Sequence, residues 1–158
     1  MTWREYLRAT ISESDSEELR AFVRKASAGQ RPTPIVFLGA SGKSTMVQAL
    51  ASAVQPSKAL PVKLTHNFDL KCCALLYVDG QPFSANLQAL VKHLIHENVE
   101  FSGGLLLAVQ SEHEISSAIY ARLRPVRIRN VKLWRGKRFN FLPESIRSWA
   151  MLQNREEG

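Results

Sequence analysis

The stretch Pro34-Ile-Val-Phe-Leu-Gly-Ala-Ser-Gly-Lys-Ser-Thr45 carries the most information about this 158-residue chain. Its apolar run, residues 35–38, predicts a buried strand, and Gly39 and Gly42 predict a tight turn after it. The residues after the turn predict an amphipathic helix. Glycines allow backbone N–H groups to close around an anion, and a helix N-terminus directs positive charge at it. We therefore expect phosphate binding by the turn and the helix start: Gly39, Ala40, Ser41, Gly42, Lys43, Ser44 and Thr45. An ordinary capped helix N-terminus is the alternative.

The chemistry of this loop favours a nucleoside triphosphate, ATP, with Mg²⁺. Lys43 is placed to reach the outer phosphates, and the hydroxyl of Ser44 is placed to bind Mg²⁺. The Walker A spacing has a glycine five positions before Gly42, where this chain has Phe37. The first glycine is Gly39 instead, so the loop offers fewer N–H groups to a phosphate. We therefore expect phosphate binding with weak or lost hydrolysis.

Composition indicates a globular protein without a membrane segment. Hydrophobic residues make up 45% of the chain and charged residues 22%, as in ordinary globular domains. No apolar run approaches the roughly 20 residues that span a bilayer, and the N-terminus lacks the apolar stretch of a signal peptide. Cys72 and Cys73 are neighbours on a predicted strand and point to opposite faces, so we expect free thiols. This pattern favours the cytoplasm or nucleus.

Predicted strands and helices alternate downstream of the loop. The strands are expected at residues 62–64, 71–78, 104–109 and 126–133, and the helices at 83–98, 112–123 and 143–152. Such alternation predicts an α/β fold with a parallel sheet flanked by helices. Two short helices are expected before the loop. We interpret residues 1–30 as a helical extension and candidate oligomerisation element, and residues 31–158 as the main domain.

Two further polar residues follow predicted strands. Asp79 ends the apolar run 71–78, and Gln110 ends the run 104–109. Ligands of parallel sheets bind beyond the carboxyl ends of the strands, so Asp79 is a candidate Mg²⁺ ligand together with Ser44. Gln110 is a candidate contact for the outermost phosphate or its attacking water. Gly80 follows Asp79, where hydrolases commonly carry a second acid. Turn formation is the alternative role for Asp79, and loop capping for Gln110.

Positive charge is concentrated near the end of the chain. The net charge is +7, and eight basic residues without an acid stand between Arg122 and Arg138. Trp134 and Phe139 are interleaved and are candidates to stack on bases, which favours single-stranded DNA or RNA over a merely solvated face. The candidate phosphate contacts of this segment are Arg127, Arg129, Lys132, Arg135, Lys137 and Arg138.

The order of these motifs resembles the superfamily 3 helicase domain, an AAA+ relative. It occurs in Rep proteins of small single-stranded DNA viruses, in parvovirus nonstructural proteins and in picornavirus-type NTPases. Residues 39–44 resemble motif A, residues 75–79 motif B, and residues 104–111 motif C. The run Ile119-Tyr-Ala-Arg-Leu-Arg-Pro-Val-Arg-Ile128 resembles the segment that carries the family's arginine.

The resemblance implies an AAA+-like P-loop NTPase fold and a ring-shaped homo-oligomer. It also implies ATP at the subunit interfaces and nucleic acid in the pore. The implied catalytic residues are Lys43, Asp79, Gln110 and an arginine finger, Arg122 or Arg124, that reaches a neighbouring subunit's nucleotide.

Two other classes remain open. The loop also resembles that of small P-loop kinases for nucleosides and sugars, whose acceptor hydroxyl is bound by an acid soon after the loop helix. No acid lies between Thr45 and Asp69, which counts against this class. A non-catalytic nucleic-acid-binding protein on a P-loop fold is the third class.

Overall fold

The computed structural model contains five strands and six α-helices among the residues that it describes. It describes residues 1–39, 42–54, 60–63, 73–79, 83–96, 103–109, 112–129, 139 and 141–152. The helices are α1 (Trp3–Thr10), α2 (Glu13–Ser27), α3 (Lys43–Ala53), α4 (Ala85–Leu94), α5 (Ser117–Tyr120) and α6 (Pro143–Met151). The strands are β1 (Ile35–Leu38), β2 (Leu60–Lys63), β3 (Cys73–Val78), β4 (Gly104–Ala108) and β5 (Arg124–Arg127).

The strands form one parallel sheet in the order β2-β3-β4-β1-β5. Because all strands run in the same direction, the loops after β1, β3 and β4 lie at the same end of the sheet, which is the end formed by the carboxyl ends of the strands. Strand β4 separates β1 from β3, so the glycine turn and Asp79 follow strands that are not neighbours. The arrangement confirms the predicted α/β fold with a parallel sheet flanked by helices, and it is compatible with a P-loop NTPase-like fold.

Side chains alternate between the two faces of the sheet, as strand geometry requires. On β1, Ile35 and Phe37 pack in a core with α1, α2, α3 and α6. Val36 and Leu38 pack on the opposite face with α4 and α5. All four side chains of β1 are buried, which explains why this strand is a continuous apolar run. Helix α3, which follows the glycine turn, therefore lies on the same face as the N-terminal helices.

The two N-terminal helices pack in the same core as the sheet. Trp3 and Tyr6 of α1 are buried, and the ring of Trp3 packs edge-on against Trp149 of α6, 5.6 Å between centroids. Phe22 of α2 lies so close to Gly104 of β4 that a Cβ there would stand 2.5 Å from its Cζ. The two predicted helices are thus present, and their role in oligomerisation stays a prediction. Among the helices of the described residues, none is long and apolar enough to span a membrane.

The predicted helix at 112–123 is wrong, because the segment divides into two short pieces. A 3₁₀ turn covers Glu112–Glu114, and α5 begins only at Ser117. Ser116 between them is extended, and its backbone N–H donates to the side-chain oxygen of Gln88 on α4, at 3.2 Å. In a continuous helix this N–H would donate to the backbone carbonyl four residues earlier. The bond to Gln88 takes its place, so the helix is interrupted at Ser116.

The last strand begins two residues earlier than the predicted 126–133. Strand β5 starts at Arg124 and includes Pro125, a residue without a backbone N–H. The N–H groups of Arg124 and Ile128 donate to the carbonyls of Pro34 and Leu38, at 2.8 and 2.9 Å. The nitrogen of Pro125 therefore points away from β1, to the outer side of β5, which is the edge strand of the sheet that the described residues form, and proline is tolerated in such a position.

The start of α4 provides a test of the local capping. The hydroxyl of Ser84 accepts the N–H of Leu87 at 3.2 Å, and losing such an N-cap costs about 1 kcal/mol. We expect Ser84→Ala to lower the free energy of unfolding by that amount in urea denaturation. Ser116 holds the same position before α5 but makes no side-chain cap bond, so Ser116→Ala should change stability by less than about 0.5 kcal/mol. Equal losses in both variants would contradict the assignment.

Candidate phosphate-binding site

The turn after β1 has a backbone shape that only glycine adopts readily. Gly39 has φ +128° and Gly42 has φ +89°. A Cβ on Gly39 would lie 2.6 Å from the carbonyl oxygen of Ile128, which follows β5. Gly42 occupies the N-cap position, so α3 begins at Lys43. Positive φ at both glycines thus lets the chain turn between the end of β1 and the start of α3.

The side chain of Lys43 folds back over the turn. Its ammonium group donates a hydrogen bond to the backbone carbonyl of Gly39. The contact holds the positive charge beside the N–H groups of the first turn of α3, which have no partner within the helix. Ser44 is exposed and Thr45 is half-buried in that same turn of helix. A cation and a helix N-terminus at one place favour the binding of an anion.

Asp79, which follows β3, meets α3 through both carboxylate oxygens. The hydroxyl of Ser44 donates to Oδ1 at 2.6 Å, and the side-chain amide of Gln48 donates to Oδ2 at 3.0 Å. The sequence predicts Ser44 and Asp79 to act together, and the structure places them in direct contact. Gln48 was not predicted. The feature of the sequence that points to Gln48 is its position four residues after Ser44, which places both side chains on one face of the helix.

Helix α3 makes this contact possible because it packs across the middle of the sheet. It contacts both β3 and β4, so its first turn reaches from the turn after β1 to the end of β3. Pairing continues past the end of β4, where the N–H of Val109 donates to the carbonyl of Phe37 at 3.5 Å. The strand that leads to Gln110 therefore ends between the glycine turn and Asp79.

The oxygen atoms of Ser44 and Asp79 fit a magnesium ion. Mg²⁺ prefers oxygen ligands, keeps several waters and is bound by one or two protein groups together with phosphates. The two side chains offer a hydroxyl and a carboxylate 2.6 Å apart. Within the described ranges, no group of three or more His, Cys, Asp or Glu side chains is placed to hold a metal ion. A Mg²⁺ that also binds phosphates does not need such a group.

Tyr6 of helix α1 lies beneath the turn. A Cβ on Gly42 would stand 3.6 Å from the tyrosine hydroxyl. Burial raises the pKa of Tyr6 to about 12. The hydroxyl therefore stays neutral at physiological pH and adds no negative charge beside a bound anion.

Arg127 is the arginine of β5 that lies near the carboxyl ends of the strands, at the same end of the sheet as the glycine turn. It pairs in register with Leu38, and its side chain is 66% exposed and 3.8 Å from Glu112. Glu112 also accepts the hydroxyl of Tyr120 at 3.3 Å. Burial and this nearby carboxylate raise the pKa of Tyr120. An exposed ion pair of this length contributes little to stability, so Arg127 can exchange Glu112 for another anion.

The structure does not bring Arg122 or Arg124 to the turn of their own chain. Arg124 pairs with Ile35 at the start of β1, about 10 Å along the strand from Leu38 at 3.3 Å per residue. Its guanidinium is engaged by Asp15 of α2 at 2.8 Å. Arg122 precedes β5 and is exposed. A role for either in a neighbouring subunit stays a prediction.

One further member of the basic segment, Arg129, is described, and so is the aromatic residue that follows the segment, Phe139. The N–H of Arg129 donates to the carbonyl of Thr10 at 2.8 Å, and its side chain is exposed. Phe139 is partly buried and packs against the rings of Tyr6 and Phe141 at the border of the core, so it is not a free stacking surface. The remaining predicted residues lie outside the described part of the chain: Ala40, Ser41, Gly80, Gln110, Lys132, Trp134, Arg135, Lys137 and Arg138.

The fold and the site define an α/β protein with a lysine-bearing glycine turn and a Ser–Asp pair at the carboxyl edge of a parallel sheet. The chain matches no protein-family model, and no characterised protein shows significant sequence similarity to it. Its function is therefore inferred from the geometry of the site.

Proposed function

We propose that this protein is an ATP-binding, nucleic-acid-associated P-loop NTPase that resembles a viral replication helicase and has weak or lost hydrolysis. The observation that carries the proposal is the contact between Ser44 and Asp79, 2.6 Å long, one residue from Lys43. A hydroxyl at a helix start, a carboxylate from another strand and a lysine over a glycine turn are the groups that bind a triphosphate with its Mg²⁺.

Each group has a distinct part in binding. The N–H groups at the start of α3 and the ammonium of Lys43 neutralise the phosphates, since both are held at the turn before any ligand arrives. Ser44 and Asp79 hold Mg²⁺, which supplies further positive charge to the outer phosphates. Gln48 keeps the carboxylate of Asp79 turned toward Ser44 through its bond to Oδ2.

The expected weak hydrolysis follows from the surroundings of Asp79. Both of its oxygens are engaged, one by Ser44 and one by Gln48, and Gly80 follows it in the sequence. Polarising an attacking water requires a base within hydrogen-bond reach of that water. A carboxylate that already holds a metal and an amide is poorly placed to be that base.

A non-catalytic nucleic-acid-binding protein on the same fold is the second candidate. The observation that favours it is the short turn, with Gly39 only four positions before Lys43. Fewer N–H groups then surround the inner phosphates, so nucleotide binding is weaker. The absence of any MgATP binding by the wild type would favour this candidate.

Magnesium dependence tests the proposed site. We expect calorimetry to show tighter ATP binding with Mg²⁺ than with EDTA. In Asp79→Asn the amide keeps an acceptor for Ser44 but loses the charge that holds Mg²⁺. The Mg²⁺-dependent gain in affinity should therefore fall about 10- to 150-fold, since interactions of charged groups contribute roughly 1.5–3 kcal/mol.

Asp15→Asn is the matched control, because Asp15 pairs with Arg124 near the opposite edge of the sheet. This variant should bind ATP with the affinity of the wild type, both with Mg²⁺ and with EDTA. Full Mg²⁺ dependence in Asp79→Asn would place the metal elsewhere.

A further inference from the structure

A second site candidate lies on the other side of α1, in a cleft of about 380 Å³ between α1, α2 and the chain that follows β5. Its charged lining residues are four arginines and two glutamates: Arg4, Arg8, Arg20, Arg129, Glu13 and Glu17. The cleft is therefore positively charged. Trp149 of α6 also lines it.

The fold brings these arginines together from three parts of the chain. Arg4 and Arg8 are four residues apart on α1, so both side chains lie on one face of the helix. Tyr6 stands between them in sequence and points to the opposite face, toward the glycine turn. The N–H of Arg129 donates to the carbonyl of Thr10 at 2.8 Å. This bond joins the end of β5 to the end of α1 and places Arg129 beside the other two.

Arg20 helps to form the wall of the cleft and is not available to a ligand. It is only 3% exposed, its guanidinium lies 5.1 Å from the ring centroid of Trp149, and it pairs with Glu17 at 3.4 Å. One of the two glutamates is thereby neutralised. The charge that a ligand would meet comes from Arg4, Arg8 and Arg129, opposed by Glu13.

These three arginines differ from most others in the chain. Five other arginines of the described residues bind carbonyls or carboxylates, whereas exposed Arg122 does not: Arg24 with Ala150, Arg31 with Leu94, Arg124 with Asp15, Arg127 with Glu112 and Arg147 with Glu144. Arg4, Arg8 and Arg129 are exposed and have no such partner in that part of the chain. Like charges at i, i+4 disfavour a helix. Positive side chains that lie close together without an acidic partner repel one another and destabilise the fold locally. Proteins keep such unfavourable arrangements mainly at binding sites.

We propose that this cleft binds the phosphodiester backbone of a single-stranded nucleic acid. Guanidinium groups match phosphate oxygens with two parallel N–H donors, which lysine cannot do. Arg129 is also a member of the basic segment between Arg122 and Arg138 in the sequence. The nucleic-acid partner rests on the proposed function, but the site is separate from the ATP site because Arg4 and Arg8 face away from the glycine turn.

Fluorescence anisotropy with a labelled oligothymidylate tests the cleft. The double variant Arg4→Gln/Arg8→Gln removes two positive charges. Glutamine has nearly the same helix propensity as arginine, so α1 should remain helical. We expect its affinity at low salt to fall at least tenfold. The slope of log affinity against log salt should become shallower by about 1.4, since each phosphate contact on a single strand contributes about 0.7. MgATP binding should be unchanged.

Two further variants complete the test. Arg147→Gln removes an arginine from α6 outside the cleft and should leave oligothymidylate binding unchanged. Arg4→Lys/Arg8→Lys should recover most of the salt slope but only part of the affinity, since lysine keeps the charge and loses the paired donors. Parallel loss of MgATP binding in the glutamine variant would indicate damage to the fold and overturn the proposal unless the lysine variant recovers both.

Other outcomes also overturn the proposal. An unchanged affinity and slope in the glutamine variant would place the nucleic acid elsewhere and leave the ATP site unaffected. A wild type that binds MgATP but no oligothymidylate would exclude the partner alone. Binding to phosphatidylserine vesicles, with no oligothymidylate binding and the same dependence on Arg4 and Arg8, would replace it with a lipid surface.

Discussion

In Lys43→Ala, the affinity for MgATP is expected to fall by about 10- to 150-fold, which corresponds to the roughly 1.5–3 kcal/mol of a hydrogen bond between charged groups. The ammonium already lies over the turn, held by the carbonyl of Gly39. Binding of a phosphate replaces that neutral acceptor with a charged one. Calorimetry of wild type and variant measures the change directly.

The matched control for Lys43→Ala is Lys92→Ala. Lys92 is exposed on α4, which packs on the opposite face of the sheet from α3, and its loss should not alter MgATP binding. The same pair of variants should show nearly equal free energies of unfolding, because neither lysine is part of the core. Undiminished MgATP affinity in Lys43→Ala would show that the turn after β1 is not the triphosphate site.

Gly39→Ala should produce the largest loss of stability among single changes at the site. The residue has φ +128°, and the new Cβ would lie 2.6 Å from the carbonyl oxygen of Ile128. Strained backbone costs about 1–3 kcal/mol, and overpacking costs about 1–3 kcal/mol more. We expect a loss of about 2–6 kcal/mol in urea denaturation, with weaker MgATP binding because the turn must move away from β5.

Gly29→Ala separates the two causes. Gly29 also has a positive φ, +75°, but a Cβ there would meet nothing within 4 Å. Its loss should therefore be about 1 kcal/mol, the cost of the left-handed backbone alone. If Gly39→Ala were no more harmful than Gly29→Ala, contact with Ile128 would not determine the shape of the turn.

Local sequence determined the elements that form the site. The strand before Gly39, the glycine turn and the helix start at Lys43 depend on neighbouring residues, because apolar runs, glycine and helix-end preferences act over a few positions. Asp79 was also predictable. It ends an apolar run, and the carboxyl ends of parallel strands share one edge of the sheet.

Only the tertiary structure decided which side chains meet. Periodicity does not reveal that β4 lies between β1 and β3, or that Gln48 holds the second oxygen of Asp79. The bond from Ser116 to Gln88 breaks a helix that local propensity favours.

The register of β5 decided the positions of its arginines. Pairing of Ile35 with Arg124 and of Leu38 with Arg127 brings Arg127, rather than Arg124, to the edge of the site. Alternation in β5 marks which side chains share a face, but it does not mark where pairing with β1 begins, because a shift of two residues leaves the faces unchanged. Contacts between residues far apart in the chain set that register, and local sequence does not encode them.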